Sequence, residues 1–254
     1  MRRMTKDFEG QVVVITGASA GIGAALAEEL SGRGARLVLV ARRLEALQAV
    51  ARRCGEAEVV VADVTRRDEV ERVMAATLAR FGRVDAWVNN AGRGITRPVE
   101  RLTDEDVDDM VRLNLKSALY GMQAVLPHLK ARGDGVIVNV SSMLARLPLA
   151  TLRSAYSAAK AGLGALTDAL RVDLAADFPA IRVVLVLPGV VATDFGLNAL
   201  GGGPDSRALP FAQPVAEVAH AIAEGIRTGR GDVYTRPGML ERAVEHLTAL
   251  ARPG

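Results

Sequence analysis

A glycine-rich turn at residues 16–23, which reads Thr-Gly-Ala-Ser-Ala-Gly-Ile-Gly, constrains the fold more than any other feature of the chain. An apolar, β-branched strand is predicted at 11–16, and an alanine- and leucine-rich helix at 21–33. Glycines between such a strand and helix let the backbone approach a phosphate at the helix N-terminus. Three glycines alone indicate only a tight turn, but this context predicts a nucleotide-binding βαβ unit. Ala24 and Ala25 follow the last glycine, so the turn is not a Walker loop.

Apolar strands and amphipathic helices alternate along nearly the whole chain. Strands are predicted at 11–16, 36–40, 58–62, 84–88, 135–140, 181–187 and 232–235. Helices are predicted at 21–33, 44–53, 68–81, 103–126, 154–178 and 215–228. Thr103 is the expected N-cap of the fourth helix, and Pro127 is expected to disturb its last turns. The pattern predicts an α/β fold, a single Rossmann-type domain over 1–254 with a doubly wound parallel sheet of about seven strands and helices on both faces.

Composition argues against several other classes of protein. The 32 basic residues are interleaved with 29 acidic ones rather than gathered into a stripe, so nucleic acid is not an expected partner. No apolar run approaches the roughly 20 residues of a membrane helix. A polar start at 1–10 and a single cysteine, Cys54, predict a cytoplasmic protein. His128, His220 and His246 are widely spaced, so no metal site is expected.

The end of the second predicted strand indicates which dinucleotide the turn prefers. NAD-binding units usually place an acidic residue about 20 positions after the turn, where it accepts hydrogen bonds from the ribose. Here the strand ends with Ala41, Arg42 and Arg43. Two guanidiniums with no carboxylate favour a 2′-phosphate, and therefore NADP(H) over NAD(H). The alternative is that the arginines merely begin a solvated helix.

Tyr156 and Lys160 are four residues apart in a predicted helix, so their side chains share one face. A nearby ammonium favours the phenolate, so the pair predicts a tyrosine pKa below the usual value of about 10. Such a tyrosine is a usable general acid or base. The spacing alone is common in helices and needs supporting motifs.

Supporting motifs follow the predicted strands in a consistent order. They are the turn at 16–23, Asp63, Asn89-Asn90-Ala91-Gly92, Asn114, Ser141-Ser142, the Tyr-x-x-x-Lys pair and Pro188-Gly189 with Thr193. Together they resemble the compact, single-domain branch of the short-chain dehydrogenase/reductase family. The resemblance extends from about Gly10 to about Thr235, and it implies the Rossmann-type fold and an oxidoreductase activity.

The resemblance implies a role for each polar residue of the catalytic set. Tyr156 would exchange a proton with the reacting oxygen, and Ser142 would hydrogen-bond the same oxygen. Lys160 would hold the nicotinamide ribose and acidify the tyrosine. Asn114 would complete a proton relay through water, although it could instead cap a local kink.

The same resemblance places the cofactor along one edge of the sheet. Asp63 and Val64 would bracket the adenine, although Asp63 could simply terminate its strand; Val191 and Thr193 would bind the carboxamide. The complete set of expected NADP(H)-binding residues is Gly17, Ser19, Ala20, Gly21, Ile22, Gly23, Arg42, Arg43, Asp63, Val64, Asn90, Ala91, Gly92, Tyr156, Lys160, Pro188, Gly189, Val191 and Thr193.

Two positions depart from the family pattern. Ser142 lies 14 positions before Tyr156, about one more than is usual in the family, and Ser141 is adjacent to it. Ser142 is the expected active serine, with Ser141 as the alternative. Ala145 stands where many members have glycine, so the loop beside the substrate is expected to differ in shape.

The substrate is expected to be a small molecule, namely a medium-sized or bulky hydrophobic ketone or secondary alcohol. The residues expected to line its pocket are Met143, Leu144, Leu147, Leu149, Leu152, Phe195 and Leu197. Arg146 and Arg153 could meet an acidic group or point to solvent. The glycine-rich segment at 194–212 is expected to be a mobile substrate loop.

The sequence therefore predicts an NADP(H)-dependent oxidoreductase of carbonyls and alcohols. A non-catalytic NADP(H) sensor is the main alternative, and a lyase or epimerase that uses the cofactor as a transient oxidant is another. The resemblance also implies a homodimer or homotetramer, formed through the two long helices. The segment at 239–251 is amphipathic and could pack on a neighbour or on its own subunit.

Overall fold

The computed structural model describes residues 6–251, which contain one sheet of seven strands. The strands are β1 (Val12–Thr16), β2 (Arg36–Ala41), β3 (Ala57–Val61), β4 (Ala86–Asn89), β5 (Gly135–Val140), β6 (Ile181–Leu187) and β7 (Asp232–Tyr234). The helices are α1 (Gly21–Gly32), α2 (Leu44–Ala51), α3 (Arg67–Phe81), α4 (Asp104–Val111), α5 (Ser117–Arg132), α6 (Ser154–Ala175), α7 (Val215–Thr228) and α8 (Met239–Leu250).

All neighbouring strands are parallel, in the order β3-β2-β1-β4-β5-β6-β7. The chain moves outward from β1 to β3, then crosses to β4 and moves outward in the other direction. This reversal opens a crevice at the carboxyl ends of β1 and β4, where doubly wound folds bind their ligands. The predicted Rossmann-type fold is confirmed.

Apolar helix faces cover both sides of the sheet. One side is built by α1, α2 and α7, which bury Leu26, Leu47 and Ile222. The other side is built by α3, α5 and α6 around the fully buried Trp87 of β4. Because helices cover both faces of the sheet, β1 is buried at each of its residues. A strand that is buried on both faces needs an almost continuous apolar sequence, as Val12–Thr16 has.

The fourth predicted helix is in fact three segments. A capping box between Thr103 and Asp106 begins α4, as the sequence predicts, and a π-helical turn at Arg112–Lys116 then joins it to α5. The prediction that the helix ends near residue 126 was wrong, because α5 continues through Pro127 to Arg132. Pro127 lies on the exposed side of α5, so the carbonyl of the exposed Gln123, which loses its helical donor, is open to solvent.

The segment between β6 and α7 forms a series of turns, with one short 3-10 turn at Ser206–Ala208. An isolated bridge between Ile95 and Leu200 ties it to the loop after β4, and a second bridge, between Val191 and Gln213, joins its own two ends. The amphipathic segment that follows β7 is helix α8, which buries Ala243. Within residues 6–251, no helix is long and apolar enough to cross a membrane.

Candidate active site

The glycine-rich turn after β1 packs directly against the turn after β4. Asn90 Nδ2 donates to the carbonyl oxygens of Thr16 at 2.9 Å and Gly17 at 3.3 Å. Gly17 has a φ of +67°, and a Cβ there would lie 2.8 Å from Cα of Ala91. A Cβ on Gly23 would lie 2.4 Å from the Gly17 carbonyl oxygen. The glycines are therefore required by close backbone packing as well as by the turn itself.

The N-terminus of α1 is open to an anion. Ala20 is the N-cap and has no side chain that could cap the first turn, so the backbone N–H groups of Gly21, Ile22 and Gly23 are available to a ligand. A cleft of about 400 Å³ adjoins this turn. Its lining residues are Ala20, Gly21, Ala24, Ala25, Glu28, Ala192, Thr193, Asp194, Arg207 and Val215.

Two arginines lie at the carboxyl end of β2. Arg43 Nη2 donates to Ser19 Oγ at 3.3 Å, which places this guanidinium beside the glycine-rich turn. Arg42 and Arg43 are both exposed, and neither forms an ion pair with a carboxylate of residues 6–251. Their positive charge is therefore available to an anionic ligand.

Asp63 organises the turn after β3. Its Oδ1 accepts hydrogen bonds from the backbone N–H of Thr65 at 3.0 Å and from the Thr65 hydroxyl at 2.8 Å. Its own N–H donates to the carboxylate of Glu69 at 2.8 Å. Val64 is buried beside it. The local hydrogen bonds account for an acid at this position, while Oδ2 makes no hydrogen bond within the described chain.

Tyr156 and Lys160 lie one turn apart on α6 and are both buried. Lys160 Nζ donates to the carbonyl oxygen of Val140, the last residue of β5, at 2.8 Å. It lies 5.8 Å from the centroid of the Tyr156 ring. The expected pair is thus assembled at the end of a central strand.

The two serines after β5 have different partners. Ser141 Oγ donates to the backbone carbonyl of Lys160 at 2.9 Å, which fastens the strand to α6. Ser142 Oγ accepts from the N–H of Leu144 at 3.2 Å, and the Ser142 side chain lies close enough to the Tyr156 hydroxyl to lower its pKa. The geometry therefore brings Ser142, and not Ser141, to the tyrosine.

Burial dominates the titration of both groups. It raises the pKa of Tyr156 to about 12, despite opposing contributions from the Ser142 hydrogen bond and the Arg153 charge. It lowers the pKa of Lys160 to about 7. The prediction that Lys160 lowers the tyrosine pKa was wrong for this structure. A lysine that is half neutral near pH 7 contributes little positive potential, and the desolvated phenolate is disfavoured.

Asn114 lies in the π-helical turn between α4 and α5 and is 1% exposed. Its Nδ2 donates to the carbonyl oxygens of Arg93 and Met110, and its Oδ1 accepts from the Arg93 N–H at 3.2 Å. A Cβ on Gly92 would lie 2.8 Å from that Oδ1 and 3.4 Å from Lys160 Nζ. The irregular turn thus places Asn114 beside Gly92, where Lys160 of α6 also approaches, and π-bulges are frequent at functional sites.

The residues after β6 contact both the turn after β5 and the start of α1. The carbonyl of Pro188 accepts from the N–H of Met143 at 2.8 Å, next to Gly189. Val191 and Thr193 are buried. A Cβ on Gly21 would lie 3.4 Å from the Thr193 methyl group, so Thr193 reaches the start of α1.

Apolar side chains surround the Tyr156 ring. Phe195 packs edge-on against it, with a centroid distance of 5.6 Å. The other members of this cluster are Ile95, Leu102, Met110, Leu144, Ala155, Ala159 and Leu200. Among the residues expected to line the pocket, only Leu144 and Phe195 belong to it. Those that sequence reasoning missed, such as Ile95 and Leu200, come from loops distant in sequence.

The other expected pocket residues lie elsewhere. Met143 and Leu147 are buried in a separate cluster with Leu185 and Leu187 of β6. Leu149, Leu152 and Leu197 are about half exposed. Within the described chain, no group of three or more His, Cys, Asp or Glu side chains is arranged to hold a metal ion.

Comparisons with known proteins agree with the Rossmann-type fold. The family model described as short chain dehydrogenase matches residues 11–199. The 1,6-dihydroxycyclohexa-2,4-diene-1-carboxylate dehydrogenase of Pseudomonas putida is 36% identical over 251 residues, or 98% of this chain and 88% of that protein.

Two solved structures are similar as well. An alcohol dehydrogenase from Thermococcus sibiricus, complexed with 5-hydroxy-NADP, is 29% identical, with a TM-score of 0.76 over 88% of this chain and 95% of that one. A short chain dehydrogenase/reductase from Burkholderia phymatum, in complex with NAD, has a TM-score of 0.87 at 24% identity over 98% of each chain, a likeness of fold.

Proposed function

We propose, from the premise that the chain belongs to the short-chain dehydrogenase family and is an NAD(P)-dependent oxidoreductase, that it transfers a hydride between NADP(H) and a carbonyl or secondary alcohol. The observation that carries the proposal is the convergence of Ser142, Tyr156 and Lys160 at the carboxyl end of β5, next to the crevice. A proton donor, a hydrogen-bond donor and the nicotinamide would then lie close together, as proton-coupled hydride transfer requires.

The crevice fits a dinucleotide. The uncapped first turn of α1 offers N–H groups to a diphosphate, and the close packing of Gly17 and Gly23 leaves no side chain in its path. Asp63 and Val64 would border the adenine, the 90–92 turn the adenosine, and residues 188–193 the nicotinamide. When bound, the nicotinamide supplies the hydride in reduction and accepts it in oxidation.

Tyr156 would deliver the proton. A phenol with a pKa of about 12 is protonated at neutral pH, which suits donation to the oxygen of a carbonyl that is being reduced. Ser142 would donate a hydrogen bond to the same oxygen and stabilise the charge that develops on it. The apolar cluster around Tyr156 would exclude water from this exchange.

Lys160 and Asn114 would connect the tyrosine to solvent. Lys160 Nζ would bind the ribose hydroxyls while it keeps its contact with the Val140 carbonyl. Asn114 holds the Arg93 peptide next to Gly92, and a water on that peptide would complete the proton relay.

The preference for NADP(H) rests on Arg42 and Arg43. Thermal unfolding with NADPH, NADH or no ligand tests it, because a ligand at 100 times its Kd stabilises a protein by about 2.7 kcal/mol. The double variant R42Q/R43Q should lose about tenfold or more in NADPH affinity and keep its NADH affinity. R52Q removes an exposed arginine at the end of α2 and is the matched control. Equal losses for both cofactors would contradict the assignment.

The proposed substrate is a hydrophobic ketone or secondary alcohol. Leu144, Phe195 and Leu200 supply an apolar wall beside Tyr156. We assign the segment at 194–212 to a substrate loop within one catalytic domain, because Phe195 and Leu200 both belong to it. Turnover of NADPH with a panel of hydrophobic ketones tests the assignment, and a protein that binds NADPH but reduces none of them would favour a sensor instead.

The chain is also proposed to form a homodimer or homotetramer. An apolar groove of about 320 Å³ lies between α4 and α6, the helices through which the family resemblance implies assembly. Val99 is 73% exposed and Val107 41% exposed at this groove, an unfavourable state for a monomer in water. Light scattering after size-exclusion chromatography tests the assembly.

A further inference from the structure

One guanidinium beside the candidate active site has no carboxylate partner. Six other arginines that are at least partly buried within residues 6–251 each lie within 4.0 Å of a carboxylate. They are Arg33, Arg93, Arg97, Arg132, Arg146 and Arg171. The exceptions in the described chain are Arg236, which donates to the Phe211 carbonyl, and Arg153, which is half-buried at the start of α6.

The known contacts of Arg153 use a small part of its hydrogen-bonding capacity. Its Nη1 donates to the Ile95 carbonyl at 3.1 Å, and the guanidinium makes no other hydrogen bond within the described chain. A guanidinium has five N–H donors, and a partly buried charge without a counter-ion is costly to maintain. Burial also lowers the pKa of Arg153 from its ordinary value. A loop anchor alone would not need a charged side chain here.

Two glycines keep side chains away from the Arg153 guanidinium. A Cβ on Gly94 would lie 2.8 Å from Nη1, and a Cβ on Gly203 would lie 3.0 Å from Nη2. The same Cβ on Gly203 would lie 3.3 Å from Thr96 Oγ1, a buried hydroxyl oxygen with no hydrogen-bond partner. The positive charge and the unpartnered hydroxyl therefore lie close together, with the backbone of Gly203 and the Gly196 carbonyl oxygen, 2.8 Å from the same Cβ position, packed against them.

Arg153 also shares a helix face with Tyr156, three residues further on. Residues at this spacing have Cβ atoms roughly 5–6 Å apart, so one small molecule can contact both side chains. Phe195 borders both: it packs on the Tyr156 ring, and its own ring would lie 3.0 Å from a Cβ on Gly94. The Arg153 guanidinium and the Tyr156 side chain thus border the same apolar cluster.

We propose that Arg153, assisted by the Thr96 hydroxyl, binds a carboxylate of the substrate, so that the substrate is an apolar ketone or secondary alcohol with one acidic group. This inference rests on the proposed function for its site and sharpens the substrate class. The carboxylate would accept two parallel hydrogen bonds from the guanidinium and one from Thr96. Gly203 lies closest to this position, and the 201–203 segment would move to admit the ligand.

Binding without turnover is the direct test. Levulinate, para-acetylbenzoate and dehydrocholate would each be titrated against the primary amide of the same acid, in the presence of NADP⁺, which cannot reduce a ketone. At least one acid should bind wild-type protein about 10- to 100-fold more tightly than its amide. R153Q should lose this preference, R153K should keep part of it, and R112Q, at an exposed arginine, should keep it in full.

Two results would overturn the proposal. The first is that the wild-type protein binds no acid of the panel more tightly than its amide. The second is that a folded R153Q variant still binds the acid more tightly than the amide. Turnover of the neutral amides with NADPH is measured separately. If the amides are reduced without any preference for acids, the carboxylate site fails and the oxidoreductase proposal stands. If acids bind through Arg153 but no probe is reduced, the binding site stands and the proposed reaction fails.

Discussion

The cofactor end and the substrate end of the crevice differ in how completely their buried polar groups are hydrogen-bonded. At the cofactor end, formed by residues 16–23, 42–43, 63–65 and 90–92, glycines are in close backbone contact and polar side chains such as Thr16, Asn90 and Asp63 are hydrogen-bonded to nearby backbone. At the substrate end, two buried atoms of the described chain lack partners, Arg93 Nε and Thr96 Oγ1. The pKa values of the buried tyrosine and lysine are also displaced there.

This difference reflects two tasks, because one end binds a ligand by its shape and the other supports a proton transfer. A site that must hold a rigid dinucleotide can satisfy its own polar groups and present backbone to the ligand. A site that must move a proton keeps polar groups in a state that burial disfavours, and this cost is met by the surrounding fold. Mutations at the two ends should therefore fail in different ways.

The largest expected effect is at Tyr156. Y156F removes the proton donor and keeps the ring that packs against Phe195, so turnover should fall about a thousandfold while NADPH affinity stays unchanged. Steady-state kinetics and a fluorescence titration of NADPH would measure the two quantities. Y120F, at a half-buried tyrosine of α5, is the matched control and should keep its activity.

Near-normal turnover of Y156F would contradict the role of the substrate end in proton transfer, because Tyr156 is the proposed proton donor there. A loss of NADPH binding in this variant would show instead that the tyrosine belongs to the cofactor end.

A smaller effect of the opposite kind is expected at Gly23. G23A places a methyl group 2.4 Å from the Gly17 carbonyl oxygen, so the turn must shift. The free energy of unfolding should fall by about 1–3 kcal/mol, and NADPH should bind about 10- to 100-fold more weakly. Gly55 has room for a methyl group, so G55A is the control. If G23A binds NADPH normally, backbone packing does not define the cofactor end.

The smallest effect concerns the pH dependence of stability. Lys160 has a pKa of about 7 in the folded protein and 10.5 as its ordinary value, so between these limits the unfolded chain binds more protons. Stability from this group therefore rises with pH, by at most about 1.4 kcal/mol per pH unit. Tyr156 contributes only above its ordinary pKa of 10.0.

Urea unfolding of wild type and K160M at about pH 8 and pH 9 would isolate this contribution. The difference in unfolding free energy between the two proteins should shift in favour of wild type at the higher pH. A difference that does not change with pH would mean that Lys160 is charged in the folded protein, and the contrast between the two ends would lose its electrostatic part.

Local sequence patterns predict the backbone at the cofactor end, where short-range rules determine the strand, the turn and the helix. The strand, the glycines and the helix of residues 12–32 are adjacent in sequence, and each fits its position by backbone sterics. Arg42 and Asp63 follow their strands directly, so their places at the sheet edge follow from the strand ends alone.

The substrate end depends on contacts that no local pattern reports. The π-helical turn around Asn114 occupies a sequence that is compatible with a regular helix, and Pro127 is tolerated only because its side of α5 is exposed. The pKa of Tyr156 depends on burial by Phe195 and other residues from separate loops, so a rule based on the Tyr-Lys spacing gave the wrong direction.

The hydrogen bond from the Thr16 hydroxyl to the Val88 carbonyl joins residues 72 positions apart, so this contact at the glycine-rich turn cannot form before β4 is in place. The glycine-rich turn leaves the ribosome early, but Asn90 and Ala91, which fix its shape, emerge only after three strands and three helices. Parallel pairing over such a separation forms late, because the entropy of closing the loop is lost first. We therefore expect nucleotide to stabilise only chains in which β4 has already docked.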